Sequence, residues 1–98
     1  MKALRFEWDT QKSLSNSRKH GVSFEEAQTV FSDENALLLA DPDHSDEEDR
    51  FLLLGLSSEV RLLVVFHCYR ARESVIRVIS ARKADKNERE QYVRRWMR

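Results

Sequence analysis

Arg77, Arg82 and Lys83 stand in the stretch "RVISARKADKNERE" (77–90), where an alternating apolar run gives way to a dense mixture of Arg, Lys, Asp and Glu. Cations at the end of a strand, beside the first amides of a helix, suit recognition of a phosphate. They equally suit plain solvation of a strand end. Glu88, three residues after Asp85, reads as half of a helix-capping pair. Two histidines could move protons. His67 lies in "RLLVVFHCYR" (61–70), and His44 lies between Asp43 and Asp46, whose carboxylates would favour its protonated form on close approach. For His67 the competing reading is a satisfied histidine of the core or of a sheet edge. Lys19 and His20, in "KHG", also suit the negative end of a helix.

Other chemistries find little support. Only Gly21 and Gly55 are present, too few for a Gly-rich phosphate loop. His20, His44, His67 and Cys68 fall on separate expected elements, without zinc-ligand spacing. The acidic stretch "DPDHSDEEDR" lacks the Gly and closing Glu of a calcium-binding hand. No GxSxG-like context accompanies the serines. No metal and no nucleotide cofactor is expected.

Local signals give the elements that would position these groups. "FEWD" (6–9) reads as a short strand ending at Asp9, which caps a helix over "TQKSLSNSRKH" closed by Gly21. Ser23 and Glu26 form an S-x-x-E capping box before Phe24, Ala27, Val30 and Phe31 at helical spacing. Strands are predicted at 36–41, 51–57, 61–70 and 73–82, the last three forming an antiparallel meander. Asp85 and Glu88 open a final helix with Tyr92, Val93, Trp96 and Met97 on one stripe, and its Arg94, Arg95 and Arg98 suit the helix dipole. The fold class is therefore α+β, in the order β-α-α-β-β-β-β-α. A small antiparallel sheet with helices packed on one face is expected. Strict alternation in the strands puts Leu62, Val64, Phe66 and Cys68 on one face and Leu63, Val65, His67 and Tyr69 on the other. It likewise puts Ile76, Val78, Ser80 and Arg82 opposite Val75, Arg77, Ile79 and Ala81. The uncovered face would then mix apolar residues with His67, Tyr69 or Arg77, as a partner-binding or RNA-binding groove requires.

Composition agrees with one domain over residues 1–98. At 41% hydrophobic the chain can bury a modest core, and lone Cys68 excludes an internal disulfide framework. No signal peptide and no membrane span is evident, so a cytoplasmic protein is expected. Formal net charge is zero, but the charges are sorted along the sequence: +3 over residues 1–21, −10 over 22–59, +1 over 60–69 and +6 over 70–98. Such segregation allows a basic surface that the average hides.

On these residues the chain resembles the BrnT family of bacterial toxins. The matching pieces are "FEWD" (6–9), "KHGVSFEEA" (19–27), "VFSD" (30–33), "DPDHS" (41–45) and "ISARKADKNEREQY" (79–92), in order over nearly the whole chain. The resemblance implies a compact RelE-like ribonuclease fold. It also implies a toxin of a type II toxin–antitoxin pair, an endoribonuclease that halts translation by cutting RNA. The implied partner is a BrnA-type antitoxin with a ribbon-helix-helix DNA-binding domain, in a complex of two toxins and two antitoxins. Operator DNA would be touched only through the antitoxin, and no membrane is involved. A non-catalytic co-repressor, or an RNA-binding domain without cleavage, are the alternatives.

Metal-free RNA cleavage uses the 2′-hydroxyl as nucleophile, and needs a base, an acid and cations around the phosphorane. The expected catalytic residues are Arg82 as main phosphate clamp, Arg77 beside it, His67 or His44 for proton transfer, and Glu88 as a further base. Lys83, Lys19, His20, Arg50 and Tyr69 are expected to contact RNA.

Overall fold

A computed structural model gives the fold and describes residues 4–41, 50–70, 72 and 74–96. The element order is β1 (Arg5–Glu7), α1 (Thr10–His20), α2 (Phe24–Thr29), a 3-10 turn (Val30–Ser32), β2 (Leu37–Ala40), β3 (Arg50–Leu56), β4 (Leu62–Arg70), β5 (Val75–Lys83) and α3 (Lys86–Trp96). Each helix start follows its capping chemistry. The Asp9 carboxylate accepts from the Lys12 amide, and the Ser23 hydroxyl accepts from the Glu26 amide. Asp85 and Glu88 cap reciprocally, each side chain accepting from the other's amide at 2.8 Å. Gly21 ends α1 in the left-handed conformation, φ 69°, which glycine adopts at least cost.

The five strands form one sheet in the order β1-β5-β4-β3-β2. Two features differ from the expected small antiparallel sheet with helices on one face. First, the sheet is mixed, because β1 runs parallel to β5 with Glu7 opposite Arg77. The chain returns to β1's side only through the long crossover that contains the other strands, which the meander pattern does not encode. Second, the helices cover both faces. Val22, Phe24, Ala27 and Val30 pack with Leu53, Leu63, Val65, Val78 and Ala81 on the α1/α2 side. Tyr92 and Ala84 pack with Leu54 and Val64 on the other, joined by Leu37, Leu52, Leu56, Leu62 and Phe66. Alternating strands that are apolar at both parities need cover on both faces.

Helix α3 is a partial cover. Tyr92 is its buried residue, whereas Val93 and Trp96 of the expected apolar stripe are exposed, Trp96 at 64%. The Tyr92 hydroxyl donates to Asp33 Oδ2 at 2.7 Å, and that oxygen also accepts from the Leu56 amide at 2.8 Å. A side chain on neighbouring Gly55 would meet Ala36 Cβ at 2.9 Å and Asp33 Oδ2 at 3.0 Å, so only glycine admits the 3-10 turn this close to β3.

Candidate active site on the arginine-bearing face

A bulge in the β4–β5 ladder decides which cations share a face. Phe66 pairs with Ser80 but His67 pairs with Val78, so β5 has one extra residue there. Val78 and Ala81 consequently both enter the α1/α2 core. Strict alternation separated Arg77 from Arg82; the bulge instead puts both on the face opposite that core. Buried Asn16 of α1 supports the bulge from outside. Its amide donates to the Ala81 and Val22 carbonyls, both at 2.9 Å, and its oxygen accepts from the Ala81 amide at 3.1 Å and the Ser80 hydroxyl at 3.2 Å. β1 ends opposite Arg77, so Asn16 does for Ala81 what a longer strand would have done.

Following register from Arg77, the same face collects Glu7 and Arg5 from β1, Cys68 and Arg70 from β4, and Arg50 from β3, which lies opposite Cys68. Helix α3 packs over the end of the face that holds Leu54, Val64 and Leu62. The other end carries arginines from four strands. Arg70, Arg5 and Glu7 were not anticipated from sequence. Parity with Cys68 was the available signal for Arg70, and the polar residue between Phe6 and Trp8 was the signal for Glu7.

Two carboxylates organise these cations. Arg82 donates from Nη1 to Glu88 Oε1 at 2.8 Å and from Nη2 to Oε2 at 2.9 Å, and its guanidinium lies 5.6 Å from the Phe66 ring centroid. The Arg82 hydrogen bond holds the Glu88 carboxyl below its ordinary range, outweighing burial, and the same bond raises Arg82. Glu88 is thus a poor base but a firm holder of Arg82. Arg77 donates from Nη1 to Glu7 Oε2 at 2.8 Å, and Arg70 Nε stands 3.7 Å from the same oxygen.

The remaining expected site residues are dispersed. His67 lies on the α1/α2 face, fully buried, with Nδ1 3.1 Å from the Val65 carbonyl and its ring 4.8 Å from that of Phe31. Burial pushes its pKa down, so the ring is neutral and in the core, apart from the arginines. Tyr69 stays with His67, the ring centroids 5.3 Å apart. Lys19 and His20 end α1, also on that side. Lys83 is exposed at the end of β5, next to Arg82. His44 lies outside the described residues. Among the described residues no three His, Cys, Asp or Glu side chains come together as metal ligands, and no helix is long and apolar enough to cross a membrane.

A family model described as "Ribonuclease toxin, BrnT, of type II toxin-antitoxin system" matches residues 8–88. The crystal structure of the Brucella abortus ribonuclease toxin BrnT aligns with a TM-score of 0.63 at 22% identity, covering 86% of this chain and 100% of that one, a likeness of fold. A comparison with curated proteins finds no match. With the family match running from Trp8 beside β1 to Glu88 on α3, the chain belongs to the BrnT ribonuclease toxins of type II toxin–antitoxin systems.

Proposed function

We propose that the arginine-bearing half-face binds RNA and cuts it without a metal ion, by attack of a 2′-hydroxyl on the adjacent phosphate. One observation carries the reading: Arg5, Arg50, Arg70 and Arg77 reach the uncovered half of one face from four strands, and Arg82, opposite Val64, stands on the same face at the edge of α3. Guanidinium groups match phosphate oxygens and the charge of a phosphorane. Arg82 is the main clamp. Glu88 occupies one hydrogen on each of its Nη atoms, and among the described residues no acceptor reaches its Nε hydrogen. Phe66 beneath it offers a ring for a base.

Arg77 and Arg82 stand about 13 Å apart along β5, taking roughly 3.3 Å per residue and one residue absorbed by the bulge. They would therefore grip successive parts of one strand rather than a single phosphate. Lys83, opposite Leu63 in register, turns to the other face at the end of β5 and leaves this track. His44, six residues before Arg50 in sequence, serves as a proton-transfer group. Lys19, His20, His67 and Tyr69 have structural roles on the other face in this reading. The toxin class supports an antitoxin partner, and we assign it the BrnA type, with a ribbon-helix-helix domain, two copies binding two toxins, and repression of the shared operon.

The test uses the purified chain with RNA, and with DNA of the same sequence, in excess chelator. RNA should be cut to 2′,3′-cyclic phosphate and 5′-hydroxyl ends and DNA should stay intact. Intact RNA, with no growth arrest on expression, would sink the reading. It would leave the co-repressor alternative, which the internal Arg82–Glu88 pairing favours.

A further inference from the structure

We infer that Glu7 is the general base of the arginine-bearing face, the carboxylate that takes the 2′-hydroxyl proton. This rests on the ribonuclease reading of that face. Glu7 is the acid of the "FEWD" stretch, and the cleavage scheme leaves it without a task. Phe6 and Trp8 point into the α1/α2 core, Phe6 meeting Phe31 with ring centroids 5.3 Å apart and Trp8 meeting Phe24 at 6.0 Å. Asp9 caps α1. Period-two alternation then turns Glu7 to the opposite face, and parallel pairing sets it directly across from Arg77.

Its two oxygens are unequal. Oε2 accepts from Arg77 Nη1 at 2.8 Å and has Arg70 Nε at 3.7 Å, which fixes the plane of the carboxylate. Among the described residues no donor reaches Oε1, and 42% of the side chain is open to solvent. Arg77 spends one N–H on this contact and keeps others for a phosphate. A phosphate held there lies beside a carboxylate with a free oxygen, the arrangement that general-base removal of a neighbouring hydroxyl proton requires.

Competing bases on this face are weaker. Both Glu88 oxygens are engaged by Arg82, Oε1 also accepts from the Asp85 amide, and the pKa is lowered. Asp41 shares the parity of this face but is buried. His67 is on the other side.

The step balances without a cofactor. Glu7 Oε1 accepts the 2′-hydroxyl proton, and the 2′-oxygen forms its bond to phosphorus. The bond from phosphorus to the 5′-oxygen breaks, and that oxygen takes a proton from the proton-transfer group of that reading or from water. The products are a 2′,3′-cyclic phosphate and a 5′-hydroxyl, and Glu7 then returns its proton to solvent.

The experiment compares the full chain with its Glu7→Gln and Glu7→Asp variants in single-turnover cleavage of a mixed-sequence RNA across pH. A DNA oligonucleotide of the same sequence serves as an uncleavable binding probe. Glu7→Gln keeps a hydrogen-bond acceptor for Arg77 and should cut about 10²–10⁴-fold more slowly. It should also lose the fall in rate on the acid side, while binding the DNA probe as the parent does. Glu7→Asp should cut at an intermediate rate and keep the acid-side fall. A Glu7→Gln rate close to the parent's, or an unchanged acid limb, overturns the assignment. Probe binding that falls in step with cleavage also overturns it, making Glu7 a prop for Arg70 and Arg77. A parent chain that leaves RNA intact overturns this inference together with the reading beneath it.

Discussion

Arg82 and Glu88 meet in a two-point ion pair, at 2.8 and 2.9 Å, that ties the end of β5 to the first turn of α3. Glu88 also accepts from the Asp85 amide, so the helix start and the main cationic group of the face are one construction. The planar fork of the guanidinium is what allows two parallel contacts. Arg82→Ala should lower RNA cleavage by about 10²–10³-fold, the usual cost of one preorganised donor at a developing anion. Arg82→Lys should recover little of it, and Glu88→Gln should cost less than either. Cleavage assays with circular dichroism as a folding control check the order. Full activity in Arg82→Ala would remove that residue from the site.

Salt dependence tests the rest of the cationic track. Binding to a single strand releases counterions, and the logarithmic slope of affinity against salt changes by about 0.7 per phosphate neutralised. Arg50→Ala, Arg70→Ala and Arg77→Ala should each reduce the slope by roughly that amount. Lys19→Ala, on the other face, should leave it unchanged. Titration of a fluorescent single strand at several salt concentrations measures this directly.

How much of the site was legible depends on the range of the signal. Asp9, Ser23, Asp85 and Gly21 act within one turn of chain, and their capping roles follow from residue type and spacing. Even there, Glu26 departs from the expected box. Its carboxylate accepts from Ser57 and pairs with Arg61, distant groups that hold it below its ordinary pKa. Alternation in β4 separated the core residues correctly, Leu63 and Val65 from Val64 and Phe66. The bulge in β5 was invisible, because an inserted residue leaves every side chain in place along the sequence and changes only its pairing. One shift therefore reversed the expected relation of Arg77 to Arg82. Glu7 and Arg77 are 70 positions apart, and only the parallel β1–β5 register brings them together.

Asn16 tests the bulge itself. It is a buried polar residue in a helix whose lone large apolar side chain, Leu14, is exposed, so hydrogen bonds rather than apolar area attach this face of α1 to β5. Asn16→Ala strands the Ala81 amide and carbonyl and the Val22 carbonyl. At about 1–3 kcal/mol for an unsatisfied buried group, softened by relaxation, a total near 3 kcal/mol is expected. That corresponds to roughly 12–24 °C in melting temperature for a domain of this size. Thermal denaturation gives the number, and a shift of only a degree or two would mean that the β5 edge does not depend on this amide.

Tyr92→Phe isolates the attachment of α3. Burial and its bond to Asp33 push the Tyr92 hydroxyl up to about 12. The bond is charge-assisted, because burial would raise Asp33 but the Leu56 amide and the Tyr92 hydroxyl hold it below its ordinary value. Its removal should cost about 1.5–3 kcal/mol. The parent's stability should be fully present below about pH 10 and decline as pH rises toward 12, because the unfolded tyrosine ionises first. Tyr92→Phe should lose that alkaline decline, which chemical denaturation across pH would register.

His67 gives a separate acid window. Its pKa is lowered by burial, which outweighs the opposing hydrogen bond with the Val65 carbonyl, so the folded ring stays neutral where the unfolded ring takes a proton. Stability from this group is present above the ordinary value of 6.5 and is lost as pH falls from there toward the lowered value. The loss approaches about 1.4 kcal/mol for each pH unit within that window. His67→Phe retains ring contacts with Phe31 and Phe51 while removing the proton site. Its melting temperature should change less than the parent's between about pH 7 and pH 5. RNA cleavage should persist, since the ring lies on the face away from Arg77 and Arg82. A folded His67→Phe chain that no longer cuts RNA would instead place the imidazole in the chemistry, and would require an opening of the aromatic core to reach it.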